Sequence, residues 1–195
     1  MKRLFDVIAS LTALVLLSPL FLILAFAVVI GDGFPVFFKQ ERVGKSGKTF
    51  RLLKFRSMYK DAEKRGQLTV GEDDPRVTPS GRVLRRYKLD ELPQLMNVLK
   101  GDMSVVGPRP EVPKYVAKYT ATQREVLSVR PGLTDPASLS FFNEDELLGR
   151  SEDPEQTYIE EILPLKTELQ RQYVYDRSFL TDLRIILQTL RKILS

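Results

Sequence analysis

The chain has 195 residues, with 30 Lys and Arg against 25 Asp and Glu, and it contains neither Cys nor His. Disulfides, thiolate nucleophiles, Cys/His zinc sites and Ser-His-Asp machinery are therefore excluded. Any catalysis must use carboxylates, Lys, Arg, Tyr, Ser or Thr, and an oxygen-ligated metal is the helper that suits such groups.

The N-terminal segment is a long uncharged run. No charged residue lies between Asp6 and Asp32, and about 20 apolar residues suffice to cross a bilayer. Pro19, preceded by Ser18, lacks a backbone N–H and must kink or break a helix at this point. Each arm is then too short for a hydrocarbon core of about 30 Å, whereas a bent pair can enter one leaflet and return.

The charges that flank this segment favour the re-entrant form. Lys2 and Arg3 precede it, and Lys39 and Arg42 follow it. Because cytoplasmic flanks are enriched in such residues, both ends resemble cytoplasmic ends, which one straight crossing cannot satisfy. A kinked full crossing and a cleaved signal peptide remain as alternatives, although the apolar core of a signal peptide has only about 7–15 residues.

The rest of the chain suffices for one domain with its own core. We therefore divide the sequence into a membrane segment, 1–34, and a single further domain, 35–195. Between Lys39 and Lys60 there are eight Lys and Arg against one acid, and between Asn143 and Glu161 there are eight acids against one Arg. A basic region beside a membrane segment predicts anionic lipid heads or phosphorylated ligands; a solvated basic face fits it as well.

Local patterns predict an α+β fold that is mostly helical. Two aromatic-rich runs predict a β-hairpin between Pro35 and Met58, and a polar loop follows over 61–80. Helices are predicted at about 79–89, 91–100, 112–128, 155–175 and 178–194. The last of these has an apolar face at helical spacing, which fits either a membrane surface or the domain core.

The densest polar cluster comprises Arg82, Arg85, Arg86, Lys88, Asp90 and Glu91. Asp90 is predicted to cap the helix that begins at Glu91, where unpaired N–H groups and the helix dipole keep its carboxylate ionised. An ionised carboxylate beside a metal-competent acid and several arginines suits phosphoryl transfer. Such an Asp-Glu pair is also the common signature of a helix cap with a surface acid.

Several motifs then occur in a recognisable order. They are Lys2-Arg3-Leu4-Phe5-Asp6, the Ser18-Pro19 break, Lys54-Phe55-Arg56-Ser57-Met58, Leu89-Asp90-Glu91-Leu92-Pro93-Gln94-Leu95, Asn97-Val98-Leu99-Lys100-Gly101-Asp102-Met103-Ser104 and Val106-Gly107-Pro108-Arg109-Pro110. With these motifs the chain resembles the bacterial sugar transferase family, in particular the small monotopic phosphoglycosyl transferases of the PglC type. The resemblance covers nearly the whole chain and implies a minimal catalytic unit, without the extra N-terminal membrane domain of larger members.

The resemblance implies a reaction. Members transfer a phosphosugar from a UDP-sugar to a polyprenyl phosphate, such as undecaprenyl phosphate, and release UMP. Asp90 matches the family's nucleophile, which forms a covalent phosphosugar-aspartyl intermediate. Glu91 matches its partner, expected to assist Mg²⁺ or to manage the acceptor's proton. Both are thus the implied metal contacts, Mg²⁺ is the implied cofactor, and Ser18 and Pro19 match the point where members re-enter the same leaflet.

The other matched residues are basic and imply substrate binding. Arg109 matches the arginine of a Gly-Pro-Arg-Pro motif, and its planar fork suits a phosphate or a nucleotide, although it also suits a rigid turn. Lys54 and Arg56 match a basic pair near the active site, and Arg130 matches a further motif position. Arg85 is a weaker candidate for binding phosphate.

One departure from the family follows Thr134. Many members continue with Gly-Trp-Ala-Gln, where this chain reads Asp135-Pro136-Ala137-Ser138. Contacts beyond Thr134 are therefore not carried over, and the sugar is left unassigned.

We therefore expect a phosphoglycosyl transferase on the cytoplasmic face of a bacterial inner membrane, embedded in one leaflet and without a nucleic-acid partner. It would begin the assembly of a surface glycan; its oligomeric state is left open. One alternative is a membrane-anchored basic module that binds anionic lipid or nucleic acid without catalysis. A second is a glycosyl transferase that moves the sugar without its phosphate and releases UDP.

Overall fold

The computed structural model describes residues 1–62, 66, 68–71 and 74–194. Its helices are α1 (Lys2–Leu16), α2 (Ser18–Asp32), α3 (Pro79–Arg86), α4 (Gln94–Lys100), α5 (Pro113–Val116), α6 (Pro136–Ser140), α7 (Glu144–Gly149), α8 (Pro154–Thr157), α9 (Leu163–Asp176) and α10 (Phe179–Leu194). Its strands are β1 (Phe37–Val43), β2 (Thr49–Phe55), β3 (Ser104–Val106) and β4 (Gly132–Thr134). The predicted α+β class is confirmed, and the predicted polar loop falls partly outside the described residues.

The predicted helix break lies between α1 and α2, which are bent by 64° relative to each other. Pro19 lies in the first turn of α2, where a missing N–H costs nothing. The Ser18 hydroxyl donates to the Val15 carbonyl over 2.8 Å. Among the described residues, no single helix has the length and hydropathy of a membrane span, whereas α1 and α2 together have both.

The outward faces of α1 and α2 are apolar. Their exposed large side chains are Leu4, Ile8, Leu11, Val15, Leu16, Leu22, Ile23, Phe26 and Ile30. A surface of this kind on a soluble protein marks an interaction site, and it extends along both helices on either side of the break.

Polar contacts hold α1 against the rest of the chain. Asp6, which is 2% exposed, accepts hydrogen bonds from the Ser104 hydroxyl over 2.9 Å and from the Val105 N–H over 3.0 Å. Arg3 donates to the Leu99 carbonyl over 2.8 Å. Because the last carbonyls of a helix have no partner within it, Arg3 satisfies the end of α4 while Asp6 places α1 beside β3.

The predicted hairpin is confirmed, since β1 and β2 pair in antiparallel register over their whole length. Asn97 of α4 fixes this hairpin from one side. Its side-chain oxygen accepts from the Leu53 N–H over 2.9 Å, and its side-chain nitrogen donates to the Arg51 carbonyl over 2.8 Å. The part of β2 that carries Lys54 is thereby held against α4.

A second, parallel sheet joins β3 to β4, and the sequence did not predict it. A Cβ at Gly132 would lie 2.1 Å from the backbone nitrogen of Gly107. The backbone segments that contain these two glycines therefore approach more closely than a side chain at position 132 would permit. This approach places the turn that carries Arg109 directly beside Gly132.

Two of the predicted helices around the Asp-Glu pair are wrong in their boundaries. The first ends at Arg86, because Lys88 adopts the left-handed conformation, with φ 53°, which an α-helix cannot include. The second does not begin at Glu91: residues Leu89–Glu91 form a 3₁₀ turn, and α4 begins at Gln94. Pro93 cannot donate a backbone hydrogen bond, and the helix starts directly after it.

The predicted helix over 112–128 is also wrong, since only α5 and a 3₁₀ turn, Gln123–Ser128, lie there. Thr120 and Gln123 interrupt it: each accepts a hydrogen bond from the other's backbone N–H, over 3.2 and 2.9 Å. This reciprocal pairing is a capping-box arrangement, which starts a helical segment rather than continuing one.

The two predicted C-terminal helices are confirmed as the α8–α9 segment and α10. One edge of α10 packs on the core, where Ile185 meets Val106 and Tyr173. Its other edge leaves Leu180 and Leu187 exposed. The helix thus contacts the core and also carries an apolar row outside it.

Candidate active site

A cavity of about 1240 Å³ connects the hairpin, the turn after α3 and the C-terminal helices. Lys54, Asp90, Glu91 and Arg109 all line it. Leu17, at the break between α1 and α2, lines the same cavity. Asp90 and Glu91, which the sequence predicted as site residues, therefore line the same cavity as the break between the two apolar helices.

Glu91 binds two of the cations that line this cavity. Its Oε1 accepts a hydrogen bond from Lys54 Nζ over 3.0 Å, and its Oε2 accepts one from Arg109 Nη1 over 3.0 Å; Arg109 Nη2 also donates to Oε1. Burial alone would raise the pKa of Glu91, but the charges of Arg109 and Lys54 outweigh it and hold this pKa well below its usual value. Glu91 is thus held in its charged form and binds two cations.

Asp90 lies in a different environment. Its side chain is nearly buried, at 4% exposure, and no described residue donates a hydrogen bond to its carboxylate. Burial raises the pKa of Asp90, Lys54 opposes that rise, and Glu91 adds to it. The expectation that a helix N-terminus keeps Asp90 ionised is therefore wrong, because α4 starts beyond it; the nearby cations are what favour the charged form.

Lys54 and Arg109 keep capacity to bind an anion. Burial lowers the pKa of Lys54, against the opposing effects of Glu91 and Asp90, whereas Glu91 raises the pKa of Arg109. An ammonium has three N–H groups and a guanidinium has five. Lys54 uses one of them and Arg109 two in binding Glu91, so the remaining donors are available to a phosphate in the cavity.

Two further predicted residues line the same cavity. Arg85 lies 4.0 Å from the carboxylate of Asp145. Arg56 is buried and donates to the carbonyls of Asp32, over 2.7 Å, and Gly33, over 2.6 Å. It therefore caps the end of α2, and its Nε and Nη1 have no hydrogen-bond partner among the described residues.

Arg130 is placed elsewhere. It is exposed, it donates through Nε to the Gly101 carbonyl over 2.9 Å, and it is not one of the residues that line the cavity. The structure thus brings together Lys54, Asp90, Glu91 and Arg109, and leaves Arg130 outside their cavity.

Asp135 is a buried site residue that the sequence analysis noticed only as a departure from the family. Its carboxylate accepts hydrogen bonds from the backbone N–H of Arg109, the backbone N–H of Ser138 and the side chain of Gln170, over 2.9, 2.6 and 2.7 Å. It thereby caps α6 and connects the Arg109 turn to α9. An Asp directly before Pro136 is the sequence signal of a helix start. This signal could have identified Asp135 as a helix cap from the sequence.

A metal ion would need oxygen ligands from outside the protein. In the described ranges, no three acidic residues are grouped so as to hold a metal. Mg²⁺ is commonly bound by one or two carboxylates together with substrate phosphates. Asp90, whose carboxylate accepts no hydrogen bond from the part of the chain that the structure describes, fits such a shared site better than Glu91, whose oxygens already bind two cations.

The cavity contains the carboxylate of Asp90, the ionised Glu91 beside it, and two cations that Glu91 binds. This arrangement is typical of an enzyme that transfers a phosphate-bearing group. The chain matches the family described as "Bacterial sugar transferase" over residues 1–195, and it belongs to that family. The predicted family and the predicted enzyme class, a phosphoglycosyl transferase, are thereby confirmed.

Three relatives illustrate the likeness. The chain is 40% identical to the "Uncharacterized sugar transferase EpsL" of Bacillus subtilis, over 100% of this chain and 87% of that protein. It is 36% identical to the "UDP-glucose:undecaprenyl-phosphate glucose-1-phosphate transferase" of Caulobacter vibrioides, over 100% of this chain and 70% of that protein. It is 38% identical to the "UDP-N-acetylgalactosamine-undecaprenyl-phosphate N-acetylgalactosaminephosphotransferase" of Aeromonas hydrophila, over 100% of this chain and 44% of that protein.

Proposed function

We propose that the protein transfers a phosphosugar from a UDP-sugar to a polyprenyl phosphate, such as undecaprenyl phosphate, as the first membrane step of bacterial polysaccharide or glycoconjugate assembly. The relatives named for this reaction support the substrates. The observation that carries the proposal is the carboxylate of Asp90, which accepts no hydrogen bond from the described residues and lies in the cavity that also contains Leu17 of the helix break.

The reaction proceeds in two displacements. A carboxylate oxygen of Asp90 attacks the sugar-bearing phosphorus of the donor; an O–P bond to Asp90 forms, the diphosphate O–P bond breaks, and UMP leaves. An oxygen of the polyprenyl phosphate then attacks the same phosphorus. The bond to Asp90 breaks, the carboxylate is restored, and a polyprenyl diphosphosugar is released.

The surrounding cations supply positioning and charge. Arg109 and Lys54 are held by Glu91 before substrate arrives, so their remaining N–H groups bind the donor's phosphates without reorganisation. Asp90 is the residue that would hold Mg²⁺, and the ion would supply positive charge that neutralises part of the phosphate charge.

The apolar helix pair supports a place at the membrane. We infer that α1 and α2 enter one leaflet from the cytoplasmic side of the inner membrane and return at the Ser18-Pro19 break. The exposed apolar faces of both helices then lie in lipid, and an acceptor whose tail is in the same leaflet reaches the cavity past Leu17.

The test combines product analysis with trapping of the intermediate. The full chain in nanodiscs, with Mg²⁺, a UDP-sugar and undecaprenyl phosphate, is expected to release UMP. Without acceptor, a donor labelled in the β-phosphate is expected to label the protein. Asp90→Asn should abolish both signals, whereas Asp176→Asn, a matched change at an exposed position on α9, should abolish neither.

The alternatives give different results. Release of UDP instead of UMP would identify a glycosyl transferase that moves the sugar without phosphate. Salt-sensitive binding to polyanions without any turnover would identify a basic binding module. Full UMP release by Asp90→Asn would contradict the aspartyl intermediate.

A further inference from the structure

A second group of charged side chains lies on the wall of the same cavity. Lys166 of α9 is 7% exposed, and its ammonium donates to Glu144 Oε2 over 2.6 Å and to the Tyr158 hydroxyl over 3.4 Å. The Tyr158 hydroxyl in turn donates to Glu111, which also accepts from Arg42 over 3.1 Å. We call these five residues the distal polar group; all of them line the cavity.

Burying the charged side chains of the distal polar group is unfavourable for folding. Charges removed from water destabilise a fold unless they are paired and hydrogen-bonded, and an apolar replacement is often at least as stable. Burial alone would raise the pKa of Glu111, but Arg42 and Lys166 hold this pKa below its usual value, so the Glu111 carboxylate stays ionised. Tyr158 also lies in the π-helical turn Tyr158–Ile162, a conformation that is frequent at functional sites.

The distal polar group retains hydrogen-bonding capacity. The ammonium of Lys166 has three N–H groups and uses two of them within the described chain. Glu144 Oε1 accepts no hydrogen bond from the described residues, and its side chain is 25% exposed. An open donor and an open acceptor on adjacent side chains suit a hydroxyl, which accepts from one and donates to the other.

The charges of the distal polar group restrict the class of ligand further. The group contains two acids, Glu144 and Glu111, and two cations, Lys166 and Arg42, so it offers neither an anion nor a cation a net attraction. A neutral ligand with several hydroxyls needs no net charge, because it can use the open donor and the open acceptor directly. The surroundings of the distal polar group therefore favour a polyhydroxyl ligand over a phosphate or a metal ion.

Two contacts connect the wall around the start of α7 to the turn that carries Asp90. Lys88 donates to the Phe142 carbonyl over 3.4 Å, and its ammonium lies 4.8 Å from the centre of the Phe142 ring. Arg85 lies 4.0 Å from Asp145. These contacts place Phe142 and Asp145 beside the turn that carries Asp90, and Glu144 lies between them in the sequence and lines the same cavity.

We propose that the distal polar group binds the sugar ring of the nucleotide diphosphosugar, with Lys166 donating to its hydroxyls and Glu144 accepting from them, and that it selects among sugars that differ in one hydroxyl. This inference rests on the proposed function, and it deepens that function by assigning the sugar-binding end of the cavity. The distal polar group lies outside the motifs that carry the family resemblance. Those motifs did not identify the sugar that the protein transfers.

The test compares four donors: UDP-glucose, UDP-galactose, UDP-N-acetylglucosamine and UDP-N-acetylgalactosamine. For the full chain in nanodiscs, kcat/KM is measured by UMP release, and the affinity for each donor and for UDP is measured by calorimetry. Lys166→Met and Glu144→Gln are expected to lower kcat/KM for the best donor about tenfold or more and to reduce its preference over its epimer, because a site built for a hydroxyl loses that discrimination. The affinity for UDP should stay within about twofold, since UDP carries no sugar beyond its ribose.

Lys114→Met is the matched control, because Lys114 also pairs with a carboxylate, that of Glu155, but at an exposed position outside the cavity. It should leave the donor ratios unchanged. Equal losses for all donors and for UDP in Lys166→Met, or an unchanged donor preference in a folded Glu144→Gln, would overturn the proposal. The proposed function fails separately: a parent chain that binds UDP-sugars selectively but releases no UMP would retain the sugar site and lose the transfer reaction.

Discussion

The carboxylate of Asp135 accepts a hydrogen bond from the backbone N–H of Arg109 over 2.9 Å. The side chain of the same arginine is bound by Glu91, so Arg109 is fixed at both ends. Asp135 is itself fully buried and bonded to α9 through Gln170. The result is a guanidinium whose position is set before any anion enters the cavity, which is how a binding site avoids the entropic cost of ordering.

Asp135→Asn is expected to weaken this arrangement. The substitution replaces one acceptor oxygen by N–H donors, which leaves a buried N–H of Arg109, Ser138 or Gln170 without a partner. Such a loss costs about 1–3 kcal/mol, or roughly 5 °C in unfolding temperature for a chain of this size. Thermal unfolding and steady-state kinetics measure it: KM for the UDP-sugar should rise more than kcat falls, and an unchanged KM in a destabilised variant would contradict the positioning role.

Arg109→Lys tests the geometry of the clamp on Glu91 rather than its charge. Lysine keeps the positive charge but lacks the planar fork with which Arg109 meets both oxygens of Glu91 at once. We expect kcat/KM to fall about a hundredfold, the size of effect seen when one preorganised donor is removed. Arg124→Lys, at an exposed position, is the control and should leave kcat/KM unchanged. Comparable activity of the two variants would mean that only the charge of Arg109 matters.

The sequence predicted the fold correctly where residues close together in the chain determine the local structure. The helix break follows from the missing N–H of Pro19, and the hairpin follows from two apolar runs around Gly44 and Gly47. The helix boundaries near Asp90 did not follow, because Lys88 turns the chain through a left-handed conformation that its residue type does not indicate. The sequence therefore predicted Asp90 as a helix cap, a position that the structure does not give it.

Long-range contacts account for the rest of the site. The pairing of β3 with β4 depends on the close approach of Gly107 and Gly132, which are far apart in sequence. Lys166 and Glu144 lie in segments whose charge pattern is equally typical of a solvated surface. Only the fold shows that these two side chains meet inside a cavity.

The pH profile of kcat/KM should be bell-shaped. Burial raises the pKa of Asp90, so the nucleophile becomes protonated as the pH falls, at a pH above the ordinary aspartate value of 3.8. Burial lowers the pKa of Lys54, so its charge is lost as the pH rises, below the ordinary lysine value of 10.5. Rates measured from about pH 4 to pH 10 report both limbs.

Lys54→Arg separates the two limbs. Arginine stays charged at all these pH values, so the alkaline limb should move to higher pH, while the acid limb stays near its original position. An alkaline limb that does not move would assign it to another group.

Gly132→Ala tests the contact that places Arg109. A methyl group would overlap the backbone of Gly107, so the strands must separate, at a cost of about 3 kcal/mol. Gly31→Ala is the comparison, because the nearest atom to a Cβ there, at 3.3 Å, is the side-chain oxygen of Ser80, which can move. Chemical unfolding should show a large loss for the first variant and a change within about 1 kcal/mol for the second; equal changes would contradict the role of the Gly107–Gly132 contact.

The helix break itself is tested by restoring the missing hydrogen bond. In a chain that carries both Ser18→Ala and Pro19→Leu, residue 19 regains an N–H that can donate to the Val15 carbonyl, so α1 and α2 can join into one helix of about 45 Å. That length exceeds a hydrocarbon core of about 30 Å, and the two ends should then lie on opposite faces of the membrane. Because the chain has no cysteine, Lys48→Cys and a tag before Met1 report each end by reagent accessibility in sealed vesicles. Ser18→Ala alone keeps the proline and should keep both ends on one face, as in the parent chain; a parent chain with its ends on opposite faces would disprove re-entry.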